Sequence, residues 1–186
     1  MEKGKINGIK KYFYSGLDYA VMIKEAKQVS PGAGSVRVIP TFVSNTGPFS
    51  RFNVGGTISG LTITTNRQQV YRACLEGLCY QLRMAIEVMK ETTGFNPKAI
   101  RITGGGSKNT LWNQIRADVT NLPVITISQK ETTALGAAIM CFVGLGVYKS
   151  IEDAISQIGY KEKIITPSKN ADVYEKLYQE YKSLLN

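Results

Sequence analysis

Ala99-Ile100-Arg101-Ile102-Thr103-Gly104-Gly105-Gly106-Ser107-Lys108-Asn109-Thr110-Leu111-Trp112-Asn113-Gln114-Ile115 is the stretch from which the rest of the chain is read. A short apolar alternation runs through three glycines into a segment with helical spacing. That order predicts a strand, a tight turn and the first turn of a helix. Glycine backbone lets a flat ligand come close, because no Cβ stands in the way. The helix points its unpaired N–H groups back at the same turn, where negative or electron-rich groups are favoured. Asn109 stands at the helix start, either as an N-cap or as a side chain aimed at a ligand. The turn has neither the G-x-G-x-x-G spacing of a dinucleotide fold nor a G-x-x-x-x-G-K-[ST] phosphate loop. Taken alone, it is equally a connection that binds nothing.

The chain's 186 residues, 43% of them hydrophobic, suit one globular domain with its own core. The most apolar run, Thr133 to Tyr148, is too short to span a bilayer and contains three glycines. Met1 to Gly8 lacks the apolar centre of a signal peptide. Cys74, Cys79 and Cys141 sit in apolar helical contexts without C-x-x-C spacing, so reduced thiols in a cytoplasmic protein are expected. The formal charge of +9 comes from scattered rather than striped Lys and Arg, and no nucleic-acid motif accompanies it. A solvated basic surface that also suits anionic phosphates is expected, rather than a nucleic-acid or membrane partner. The absence of histidine excludes Ser-His and Cys-His catalysis and histidine-bound zinc within this chain.

Residues 1–9 read as a flexible lysine-rich segment. Lys10 to Lys27 carries apolar residues at helical spacing, with Gly16 inside it. A glycine there marks tight helix packing or a ligand lying close. Ser30 to Gly34 is a turn cluster, Val36 to Phe42 a strand, and Gly55 to Ile63 a second strand after an exposed loop. Thr65 and Gln68 have capping-box spacing before a long helix striped by Val70, Cys74, Leu78, Leu82, Ile86 and Met89. Gly94 and Pro97 form its stop signal. Then come a helix over Leu111–Val119, a buried strand over Val124–Ile127 and a small-residue helix from Glu131. A short helix follows over Ile151–Ile158, and the last helix carries a stripe of Tyr174, Leu177, Tyr178, Tyr181, Leu184 and Leu185. The alternation from Lys98 to Leu145 predicts an α/β domain with adjacent parallel strands.

Four segments together resemble the C-terminal domain of the FGGY carbohydrate kinases. They are Tyr71-Arg72-Ala73-Cys74-Leu75-Glu76-Gly77-Leu78, the stretch from Gly104 to Ile115, Asn121-Leu122-Pro123-Val124, and Glu131-Thr132-Thr133-Ala134-Leu135-Gly136-Ala137-Ala138. The resemblance runs from about Phe13 onward. It implies an actin-like ATPase (ribonuclease H-like) domain over residues 10–186, with a mixed sheet flanked by helices, and without the N-terminal sugar-binding domain. It implies ATP with Mg²⁺, and a sugar held through the missing domain. Gly104, Gly105 and Gly106 would form the adenine-side turn, with Asn109 reaching the base and Gly16 lying against the nucleotide. Thr132 and Thr133 would begin the helix behind the pocket.

The family's aspartate base and phosphate loop lie upstream of everything present here, so no catalytic residue is expected and the chain alone should be inactive. Asp18, Asp118 and Asp153 read as surface helix residues instead. The family's first strands of this domain are also missing, and they would lie between the two N-terminal strands retained. Unpaired sheet edges of that kind invite homodimerisation. Two other readings remain open: a non-catalytic dimerising module, and nucleic-acid binding through the basic surface.

Overall fold

A computed structural model of the chain describes residues 18–42, 55–128, 131–159 and 161–185. Gly16, the segment 1–9 and the loop around Gly47 lie outside these. The fold is organised around the helix that begins at Asn66. Asn66 accepts a hydrogen bond from the Gln69 amide at 3.0 Å, and Gln69 Oε1 accepts one from the Asn66 amide at 2.9 Å. This capping box lies one residue beyond the predicted Thr65–Gln68 pair. The reason is local: Thr65 Oγ1 already accepts from the Thr62 amide at 2.8 Å, within the preceding turn. The helix runs over Arg67–Thr93 and ends where Gly94 takes φ 68°, as the stop signal predicts.

In chain order the elements are α1 (Tyr19–Ala26), β1 (Arg37–Ile39), β2 (Thr57–Ser59), α2 (Arg67–Thr93), β3 (Ile100–Ile102), α3 (Thr110–Thr120), β4 (Val124–Ile127), α4 (Thr132–Gly144), α5 (Ile151–Gln157), β5 (Glu162–Ile165) and α6 (Ala171–Ser183). From Val70 to Gln81 every residue of α2 is buried, so this half is the axis of the domain and not a surface helix. Its core partners include Met22 of α1, Ile115 and Val119 of α3, and Tyr174, Tyr178 and Tyr181 of α6. A smaller cluster of Val36, Val38, Val70, Ala73 and Cys74 seats the β1–β2 hairpin on the same helix. None of the described helices is long and apolar enough to cross a membrane.

The sheet is mixed. β3 and β4 are parallel, with Ile100 opposite Val124, and β5 joins β4 antiparallel, with Ile164 opposite Ile125. β1 and β2 form a separate antiparallel pair, with Val38 opposite Ile58. The expectation that absent strands would lie between these two is therefore not met, because they are hydrogen-bonded to each other. β5 has no counterpart in the sequence reading: Glu162-Lys163-Ile164-Ile165 is an exposed edge strand without apolar alternation. β4, predicted as buried, is fully covered only at Val124. Its other residues are half-buried.

One carboxylate fastens distant parts of the chain. Glu76 Oε1 accepts from Arg72 Nε at 2.8 Å, Tyr174 OH at 2.9 Å and the Gly32 amide at 3.1 Å. Arg72 Nη2 donates to Tyr174 OH at 2.7 Å and Nη1 to the Ala26 carbonyl at 3.3 Å. Asp118 is not the surface residue expected from its charge. It is 3% exposed and accepts from Gln114 Nε2 at 2.9 Å, the Ser168 amide at 2.6 Å and Ser168 Oγ at 3.1 Å. It anchors the loop ahead of α6 to α3.

Two outcomes are expected. A Cβ at Gly77 would stand 2.2 Å from the Val38 carbonyl oxygen, which is backbone of β1. Gly77→Ala, ordinarily a gain of about 1 kcal/mol in a helix, should instead cost about 1–3 kcal/mol by prising β1 from α2; urea denaturation measures it. Tyr71, Tyr80, Tyr174, Tyr178 and Tyr181 are all fully buried, and burial raises each hydroxyl above its ordinary pKa. The unfolded chain then loses these protons first, near pH 10. Stability should be fully present below about pH 10 and fall above it, by about 1.4 kcal/mol per pH unit for each such tyrosine. Denaturation midpoints from pH 8 to 11.5 measure that slope.

Candidate functional site: a cleft at the ends of the parallel strands

Because β3 and β4 run in the same direction, their C-terminal ends open on the same side, which is where ligands settle in open α/β sheets. A cleft of about 450 Å³ lies there. One wall is the glycine turn, through Gly104, Gly105, Ser107 and Lys108. The other is the end of β4 (Thr126, Ile127 and Ser128) and the start of α4 (Glu131, Thr132 and Thr133).

Gly104 has φ 78° and ψ −169°, backbone angles that side chains resist, and it opens a 3₁₀ turn over Gly105–Lys108. Its carbonyl accepts from Ser107 Oγ at 2.7 Å and from the Ser107 amide at 3.2 Å. The three glycines do different work. Gly104 and Gly105 face the cleft, and nothing lies within 4 Å of a Cβ built on Gly104. Gly106 faces inward, where a Cβ would stand 3.3 Å from the Trp112 ring.

Of the two roles open to Asn109, the structure forms the cap. Its Oδ1 accepts from the Trp112 amide at 3.0 Å, its Nδ2 donates to Tyr71 OH at 3.4 Å, and the residue is 8% exposed. Burial pushes the Tyr71 hydroxyl up to about 12, so it stays protonated beside the amide at neutral pH. Asn109 thus lies beneath the turn and does not line the cleft. Thr132 and Thr133 are on the cleft wall itself. Sequence reading missed Ser107, Lys108, Thr126, Ile127, Ser128 and Glu131. The signal that finds them is topological: they follow the C-terminal ends of two strands predicted to be parallel.

Charge in the cleft comes from Lys108, from Glu131 and from the N-terminus of α4, a helix of 13 residues whose free N–H groups favour an anion. Among the described residues no group of three or more His, Cys, Asp or Glu could hold a metal ion.

A helix-flanked mixed sheet of this kind is that of an actin-like ATPase domain, and comparison with known proteins agrees on the fold. Residues 11–145 match the C-terminal domain of the FGGY family of carbohydrate kinases, and the chain belongs to that family. It is 32% identical over 178 residues to L-fuculokinase of Escherichia coli (strain K12), covering 95% of this chain and 36% of that protein. It is 34% identical over 165 residues to glycerol kinase of Acidiphilium cryptum, covering 89% of this chain and 33% of the kinase. The crystal structure of xylulose kinase from Rhodospirillum rubrum superposes with a TM-score of 0.81 at 25% identity, over 98% of this chain and 37% of that one. The chain thus spans about a third of the length of these relatives.

The cap is directly testable. Asn109→Ala should cost about 1 kcal/mol of stability, whereas Asn109→Asp, which keeps the acceptor for the Trp112 amide, should cost less. Urea midpoints of the two variants beside the parent chain measure the difference.

Proposed function

We propose that the cleft receives the nucleotide of an ATP-dependent sugar kinase, with the adenine flat on the Gly104–Gly105 backbone. The observation that carries this reading is the pairing of two walls. One lets a planar ring approach the main chain and carries Lys108, and the other presents a helix N-terminus to negative groups within the same 450 Å³. Gly106 and Asn109 serve it from beneath by fixing the turn. For Gly16, outside the described residues, the family resemblance is the whole support for a nucleotide contact. Mg²⁺ would come with the nucleotide and supply neutralisation of its phosphate charge, with Lys108 adding to it from the cleft wall.

The whole enzyme phosphorylates L-fuculose in this reading, giving ADP and L-fuculose 1-phosphate. The support is that several of the relatives are L-fuculokinases. Glycerol kinases match at similar identity, so the sugar is a separate question from the nucleotide. A carboxylate base and the sugar contacts belong to the other domain, which meets this one by closure. Free Cys74, Cys79 and Cys141 suit a cytoplasmic protein. A second reading, a non-catalytic module that dimerises, is favoured by exposed Met140, Phe142 and Leu145 along and after α4.

Calorimetric titration of the folded chain with Mg-ATP should show weak binding that Gly105→Val abolishes. A folded chain that gives no heat with ATP and sediments as a dimer would establish the second reading instead. The chain alone should phosphorylate no sugar. A whole kinase carrying this domain, assayed on L-fuculose, D-xylulose and glycerol, identifies the acceptor.

A further inference from the structure

We infer that Asn113 and Arg116 are positioning residues that hold the glycine turn in the shape facing the cleft, an inference that rests on the cleft being the nucleotide site. Three successive glycines have more conformational freedom than any other tripeptide. The bonds from Ser107 to Gly104 close the turn on itself but do not tie it to the helix behind it. Asn113 does: its Nδ2 donates to the Ser107 carbonyl at 2.8 Å. An amide can face either way, and Arg116 decides which, since its Nη1 donates to Asn113 Oδ1 at 3.0 Å. Arg116 is fixed in turn by lying over the Trp112 ring, its Cζ 3.6 Å from the ring centroid.

Helical geometry brings these groups together. Asn109, Trp112, Asn113 and Arg116 are spaced i, i+3, i+4 and i+7, which puts them on one face of the helix start and α3. Asn113 is 1% exposed and Arg116 5%, so both are held within the protein. Gly106 completes the fit, because a Cβ there would stand 3.3 Å from the ring edge, tight enough to press the indole aside by a few tenths of an ångström. A planar guanidinium lies flat on the ring while its edge donates, a fixed fork that an ammonium on a flexible stem does not reproduce.

Asn113→Asp tests this with little change in volume. It keeps the acceptor for Arg116 but removes the donor and sets a carboxylate oxygen against the Ser107 carbonyl. The Ser107 and Asn109 amides should exchange with deuterium about tenfold faster or more, while amides of the buried half of α2 keep their rates. Mg-ATP affinity should fall about tenfold or more. Arg116→Lys should act in the same direction more weakly, and it takes over as the test if Asn113→Asp does not fold. Unchanged exchange at the turn, exchange raised uniformly across the protein, or a loosened turn with unaltered ATP affinity would each overturn the inference. If the parent chain binds no ATP while the variant's turn still loosens, the nucleotide reading fails and the tether stands.

Discussion

A single buried oxygen, Glu76 Oε1, accepts hydrogen bonds from the middle of α2, from α6 and from the turn after α1. Burial drives this carboxyl's pKa up, and the Arg72 guanidinium beside it works in the opposite direction. Such a group is costly to bury and far more costly to leave unpaired. The arrangement is therefore better understood as specifying one assembly of the three parts than as adding stability. With the turn at Gly32 and helix α6 both referred to α2, the face of α2 that receives α3 is set as well, since Tyr71, Leu75, Ile115 and Tyr178 share one core.

The cleft inherits that order. Tyr71 lies one residue before Arg72 on α2, and its hydroxyl accepts from Asn109, so the helix that carries the buried ion pair also steadies the cap of α3. From the cap the constraint passes to the turn through Asn113 and the Ser107 carbonyl. None of the groups in this series needs to touch a ligand. Together they place two side-chain-free residues opposite the start of α4, and that placement is what a flat, charged molecule would meet.

Much of this was legible in the sequence, though unevenly. The strand–glycine turn–helix order, the long helix with its glycine stop, and the α/β class follow from periodicity and turn chemistry, which local residues determine. The capping box lies one residue beyond the Thr65–Gln68 spacing because Thr65 is engaged with Thr62, a competition that spacing does not reveal. β5 leaves no periodic signal in the sequence, because an exposed edge strand needs no apolar alternation. Asp118 reads as a surface charge because the partner that buries it, Ser168, lies 50 residues further on. The glycines of the turn stand out in the sequence as a group, but their division into two that line the cleft and one that faces an indole depends on which way each Cα faces. Asn113 and Arg116 carry the helical spacing that would have marked them, yet polar residues on a helix are ordinarily read as its solvent face.

Trp112 is the only tryptophan in the chain, and it sits against Gly106 with a guanidinium stacked on it. All intrinsic indole fluorescence therefore arises at one place, directly behind the glycine turn. A buried indole emits toward the blue, and its intensity responds to the cation lying across its face. The domain thus carries its own optical probe, one whose spectrum follows the turn's geometry in unlabelled protein.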